Sequence, residues 1–165
     1  MIPPQHVPQS PSGHCRDFDF QLGAWVVRHR RLASRLSNSD DWEAFDGVAN
    51  MSPILGGNGN IEDNVIHFPA GTYRALALRS YDVASGTWAI WWLDGRAPHA
   101  LDVPVIGRFE NGVGSFYADD SFKGMPVRVR FLWLRTDTPS PRWEQAMSTD
   151  NGKSWETNWT MDFQR

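Results

Sequence analysis

From Ala24 to the C-terminus almost nothing in this chain repeats every 3.6 residues. Apolar and polar positions alternate with a period of two, in runs of about 8–11 residues cut by turn signals. A period-two segment has one face to bury and can bury it only against other strands. The runs cover residues 24–33 ("AWVVRHRRLA"), 42–51, 61–68 ("IEDNVIHF"), 72–83, 87–94, 101–110, 113–122, 125–135, 142–149 and 154–165. Between them stand "GGNGN" (56–60), Ala84-Ser85-Gly86, Asn111-Gly112, Lys123-Gly124 and "TDTPSP". Asn-Gly suits a tight hairpin because both residues tolerate positive φ. Nearly all the links are of hairpin length, which favours an up-and-down meander of about ten strands. A sheet that long protects its edges best by closing on itself.

The expected fold is therefore all-β: a single antiparallel up-and-down β-barrel. Just before it, "CRDFDFQLG" has room for one helical turn or a tight loop ending at Gly23, plugging one end. Residues 1–14 are rich in Pro, Ser, Gln and His and read as a disordered or extended segment, leaving residues 15–165 as the barrel domain. Nine Trp and nine Phe stand against three Tyr, and such large rings need a wide sheet with a thick interior. Net charge is −3, and no Lys/Arg run is interleaved with aromatics, so nothing points to nucleic acid. Cys15 is the single cysteine, so the chain forms no internal disulfide and requires no oxidising compartment. The start, "MIPPQHVPQSPSGHC", lacks the apolar core of a signal peptide, and no run approaches the ~20 residues of a spanning helix. The expectation is a cytoplasmic protein with no membrane partner.

Residues 148–155 contain Ser148-x-Asp150-x-Gly152-x-x-Trp155, which resembles the Asp-box hairpin of sialidase propellers. Those propellers repeat the motif once per blade, and no such period occurs here. Asp82 through Gly86 to Trp88 follows the same grammar: an Asp to bond the turn backbone, a Gly for positive φ, a Trp opening the return strand. Asp150, Gly152 and Trp155 are read as structural turn residues.

Gly23-Ala24-Trp25, at the head of the first strand, resembles the G-x-W signature of lipocalin and calycin barrels. In that family the Trp plugs one end, and a basic residue near the end of the last strand stacks over it. The resemblance gives Trp25 and Arg165 those roles. The phrases "FDFQLGAW", "GRFENGVGSFYADDSFKG" and "RWEQAMSTDNGKSWETNW" are similar to those of uncharacterised bacterial lipocalin-like proteins, over about residues 17–165. This likeness implies the barrel and carries no catalytic residues with it.

Alternation then sorts the faces. In the last strand Trp155, Trp159, Met161 and Phe163 share one face, opposite Glu156, Asn158 and Asp162. Arg128, Arg130, Glu144, Glu156 and Asp162 are expected outside, in cross-strand charge pairs. In the first strand Trp25 and Val27 lead on to His29 and Arg31; in the fourth, Ala75 and Ala77 lead on to Arg79 and Tyr81. The expected pocket is plugged at one end by Trp25 and lined at the other by His29, Arg31, Arg79, Tyr81 and Gln145, with walls from Trp92, Trp133 and Trp159. Such a lining suits a small, partly apolar or aromatic molecule with an acidic or carbonyl group.

Alternative readings use the same barrel. One is an enzyme with His29 or His99 as base and Arg79 orienting a carboxylate. Another is a haem-binding barrel with His29 or His99 as ligand. A third is a homodimer or partner-binding module using an exposed Trp91. No two histidines stand at i,i+2 or i,i+4, so no metal site or cofactor is expected from spacing. Asp94, Arg96 and His99, in "DGRAPH", read as a solvated hairpin loop.

Overall fold

The computed structural model describes residues 13–165. The segment expected to be disordered, 1–14, lies almost wholly outside the described residues. Ten strands follow one another as β1 Gly23–Leu32, β2 Trp42–Ile54, β3 Gly59–Phe68, β4 Gly71–Asp82, β5 Thr87–Asp94, β6 Val105–Glu110, β7 Val113–Phe122, β8 Met125–Leu134, β9 Arg142–Ser148 and β10 Glu156–Gln164. Each pairs antiparallel with its sequence neighbours, and β1 pairs with β10 through Val27↔Phe163 and His29↔Met161, so the barrel closes. No helix among the described residues is long and apolar enough to cross a membrane.

The turns obey the local chemistry. Asn111 and Gly112 both have positive φ, 52° and 78°, the requirement of the tight hairpin between β6 and β7. The sixth strand begins at Val105 rather than 101. Pro104 has no N–H for the ladder, and Leu101 makes only an isolated bridge to Leu93. As a result the β5–β6 seam has three residue pairs, Trp88↔Gly107, Ala89↔Ile106 and Ile90↔Val105, the fewest between any two neighbours.

The plugged end is built from the segment before β1. Asp19–Gln21 forms a short 3-10 turn, and Gly23 reverses the chain at φ 94°, where an added Cβ would sit 3.2 Å from the Arg165 guanidinium. Phe18, 1% exposed, is the centre of the plug, edge-on to Phe109 at 4.9 Å, Trp88 at 5.0 Å and Trp133 at 5.9 Å. Burying one such ring stabilises by roughly 2–3 kcal/mol, and each aromatic pair adds about 0.5–1.5 kcal/mol. Trp25 is buried and donates its indole N–H to the Gln21 carbonyl at 2.8 Å. The Arg165 guanidinium lies 4.1 Å above the Trp25 ring and donates to the Leu22 carbonyl at 2.8 Å.

One irregularity overturns part of the expected facing. Between β9 and β10 the register slips at Asn158: Thr157 pairs with Ala146, but Trp159 pairs with Gln145. The extra residue reverses the alternation N-terminal to it. Trp159, Met161 and Phe163 face inward and are buried, whereas Trp155 lies outside beneath the Arg130 guanidinium (4.4 Å from its ring centre) and beside Tyr117. Glu156, expected outside, pairs with the inward-facing Met147 and so points into the barrel. Of the residues expected in outer charge pairs, Glu144 and Asp162 each pair with Arg142 at 2.7 Å, and Asp162 also pairs with Arg135, whereas Arg128 and Arg130 lie over the rings of Tyr117 and Trp155 and form no ion pair among the described residues.

The Asp box is a turn. Asp150 accepts from the Ser148 hydroxyl and the Ser154 N–H, both at 2.8 Å, and Gly152 N–H donates to Ser148 Oγ. These bonds hold the Asp150 carboxyl well below the usual carboxylate range, the Ser154 hydroxyl contributing most. Trp155 completes the turn by donating to the Gly152 carbonyl at 3.1 Å.

Candidate functional site at the open end of the barrel

Consecutive strands run in opposite directions, and this decides which candidate residues meet. β1 runs away from the plug, so Arg31, near its end, reaches the open end. β4 runs towards the plug, so Arg79 and Tyr81, near its end, lie at the opposite end from Arg31. What β4 brings to the open end is Tyr73. Of the eight residues expected to line one pocket, Arg31, Trp92, Gln145 and Trp159 surround a cavity of about 160 Å³ at the open end. His29 lies below it, and Arg79, Tyr81 and Trp133 belong to the plugged half.

Three tryptophans shape the cavity. Trp159 is edge-on to Trp92 (5.9 Å, 83°) and to Trp143 (5.6 Å, 85°), and Trp143 is edge-on to Phe131 (4.9 Å). The Arg31 guanidinium lies 4.9 Å from the Trp159 ring centre and 5.7 Å from that of Phe68. Arg35, from the segment 33–41 joining β1 to β2, also lines this cavity and an adjoining one of about 100 Å³. Trp92, Phe131, Gln145 and Asp102 lie between the two, and burial raises the Asp102 carboxyl above its ordinary range, with the Asp120 and Asp94 charges adding to the effect and Arg35 opposing it.

Arg96 is neutralised locally. It grips Asp94 with Nε to Oδ1 at 3.0 Å and Nη2 to Oδ2 at 2.7 Å, and its guanidinium sits 3.6 Å over Tyr73. The Arg96 hydrogen bonds hold the Asp94 carboxyl below its ordinary range, and Asp94 in turn raises the proton affinity of Arg96. The "DGRAPH" stretch is thus only partly a solvated loop: Asp94 and Arg96 line the cavity, and His99 is exposed. Arg31 and Arg35 are different. Among the described residues neither guanidinium makes a hydrogen bond or ion pair to the protein. Burial lowers the proton affinity of both, that of Arg35 to about 10 with the nearby Arg31 charge adding to the effect. Both stay charged at neutral pH.

Of the residues proposed for acid–base or haem chemistry, His99 is exposed, and His29 and Arg79 are engaged elsewhere. His29 is 2% exposed; its Nδ1 accepts the Trp159 indole N–H at 3.2 Å, and its ring stacks on Phe45 at 4.9 Å. Its Nε2 abuts Gly47, where a Cβ would lie 2.9 Å away, so neither ring nitrogen faces the cavity. Burial pushes the imidazole pKa down to about 4. A cavity of this size is also smaller than a porphyrin, so the residues present do not fit haem. Arg79 is buried, donating to Asn60 Oδ1 at 3.0 Å and Glu62 Oε2 at 3.3 Å between the rings of Phe18 and Trp133. Its counter-ion is therefore Glu62. Trp91 is half-buried on the outer face, paired with Leu78. No group of three His, Cys, Asp or Glu among the described residues is placed to hold a metal ion.

Alternation gave no place at this cavity to Arg35, Tyr73 or Asp102. Arg35 falls in "ASRLSNSDD", which has no alternation to give it a face. Tyr73 was legible from strand direction: a residue at the start of β4 meets one at the end of β1.

The closed ten-stranded antiparallel barrel is consistent with a lipocalin- or calycin-like fold. No family model matches the chain, and neither does any curated protein.

Proposed function

We propose that the open end of the barrel binds a small aromatic or partly apolar monoanion, such as an aryl carboxylate. The observation that carries this reading is the pair of guanidinium groups, Arg31 and Arg35, that face an aromatic-walled cavity and, among the described residues, make no direct ion pair; Asp94, gripped by Arg96, and Asp102 are the carboxylates on the same lining and act on them only from a distance. A partly buried charge lacking a partner is costly, and a carboxylate supplies both the charge and the acceptors that the guanidinium fork favours. The indole faces of Trp92, Trp143 and Trp159 supply apolar contact for a flat ring. About 160 Å³ is below the ~300–1,000 Å³ typical of sites for drug-sized ligands, which points to a molecule of one or two rings.

Isothermal titration with 2-naphthoate and its neutral amide, 2-naphthamide, tests the reading. The carboxylate is expected to bind at least about tenfold more tightly, with Arg31→Met and Arg35→Met each removing most of that preference, since a hydrogen bond to a charged group is worth ~1.5–3 kcal/mol. Equal binding of acid and amide, or no binding of either, would overturn it.

A further inference from the structure

The bulge at Asn158 has an effect at the mouth of the barrel. By turning Glu156 inward it places a carboxylate opposite the segment 33–41. Both Glu156 oxygens accept the Leu36 N–H, at 2.8 and 3.1 Å. Leu36 is held there in the left-handed region, φ 54°, a conformation that a leucine adopts only under constraint, and its side chain packs on the core. The other hydrogen bonds of this segment are internal: Ala33 N–H to the Asp41 carbonyl, Ser37 Oγ to the Ser34 carbonyl, Asp41 N–H to Ser39 Oγ. Among the described residues, Glu156 makes the one side-chain hydrogen bond that ties the segment to another strand. Arg35 is the residue next to that tie.

From this geometry we infer that Glu156 is a positioning residue: through the Leu36 N–H it holds Arg35 in the cavity, so anion preference depends on a carboxylate that the bulge turned inward. The inference rests on the anion-binding reading above. It accounts for an acidic side chain on the inner face of a site proposed to favour anions. The Glu156 carboxylate is held against a backbone N–H and, among the described residues, makes no direct ion pair with Arg35, on which its charge acts only as one of the smaller influences.

A double-mutant cycle tests it, with 2-naphthoate and 2-naphthamide titrated into wild type, Glu156→Ala, Arg35→Met and the double variant. Glu156→Ala is expected to weaken naphthoate about tenfold and leave naphthamide within about twofold. In the Arg35→Met background it should change neither further. Glu156→Gln, whose amide oxygen still accepts the Leu36 N–H, should retain most of the affinity. Amide exchange at Leu36, measured without any ligand, should speed up in Glu156→Ala and not in Arg35→Met. Unchanged Leu36 exchange, additive effects in the cycle, or equal weakening of acid and amide would each overturn the inference. Failure of the wild type to discriminate acid from amide would instead sink the anion reading, whatever Leu36 exchange shows.

Discussion

Replacing Glu62 by Gln should be among the most destabilising near-isosteric changes in this barrel. The side chains of Glu62 and Arg79 are each 3% exposed, so neither charge has water to fall back on. Their contact is long, 3.3 Å, and the remaining donors to the carboxylate, Gln21 at 3.4 Å and Asn64 at 3.5 Å, are weaker still. Arg79 Nε has no hydrogen-bond partner among the described residues, and the adjoining cavity of about 20 Å³ has room for about one water. Glu62→Gln keeps the shape and deletes the counter-charge, leaving a buried cation uncompensated at a cost of about 3–5 kcal/mol. Against a total stability of roughly 5–15 kcal/mol this is a large share, and it corresponds to a drop in Tm of about 6–20 °C. Removing both charges, as Glu62→Leu with Arg79→Met, should recover most of the loss, because two paired buried ions can be replaced by apolar groups at little net cost. Urea unfolding followed by tryptophan fluorescence of the wild type, Glu62→Leu, Arg79→Met and the double variant gives the four corners of the cycle, with Glu62→Gln measured beside them. A Glu62→Gln cost below about 1 kcal/mol, or a double variant no better than the sum of the singles, would refute the argument. The double variant should also leave 2-naphthoate affinity unchanged, since Arg79 is at the other end of the barrel from Arg31.

Two further predictions follow from His29 and its neighbour. With a folded pKa of about 4 against an ordinary 6.5, His29 is neutral in the fold while the unfolded chain takes up a proton between those values, so stability is fully present above pH 6.5 and falls as pH drops towards 4. Urea titrations at pH 6.5 and 5 should show about 1.5 kcal/mol of this loss in the wild type, absent from His29→Phe; parallel curves for the two proteins would contradict it. Gly47→Ala would place a Cβ 2.7 Å from the Val65 carbonyl and 2.9 Å from His29 Nε2, so it should cost about 1–3 kcal/mol and shift Trp159 fluorescence through the displaced imidazole; an unaltered melting curve would show that the strand yields instead.

The strands were legible because period-two alternation and turn residues are local signals, and the hairpin at Asn111-Gly112 could be read from two residues. Closure followed from the need to protect edges. The site was legible only in part. Arg31, Trp92, Gln145 and Trp159 could be found from alternation alone, but Arg79 and Tyr81 were placed with them by treating the ends of β1 and β4 as one end of the barrel, although antiparallel neighbours reverse the sense. The Asn158 bulge leaves no mark in a pattern of polar and apolar letters; its insertion exchanges the faces of Trp155 and Glu156. Arg35 was invisible for a third reason: a polar connection has no period, and its conformation is set by a carboxylate 120 residues away.

The short seam between β5 and β6 gives the cylinder a direction of failure. Past Ile90, the backbone of β5 is tied to the far side, among the described residues, by the isolated Leu93–Leu101 bridge with its Asp102 N–H to Trp92 carbonyl bond, so loosening there frees few bonds. When the wall parts, it parts along this line, unrolling into a curled ribbon whose two new margins are the strands able to recruit an extended segment from a neighbouring molecule.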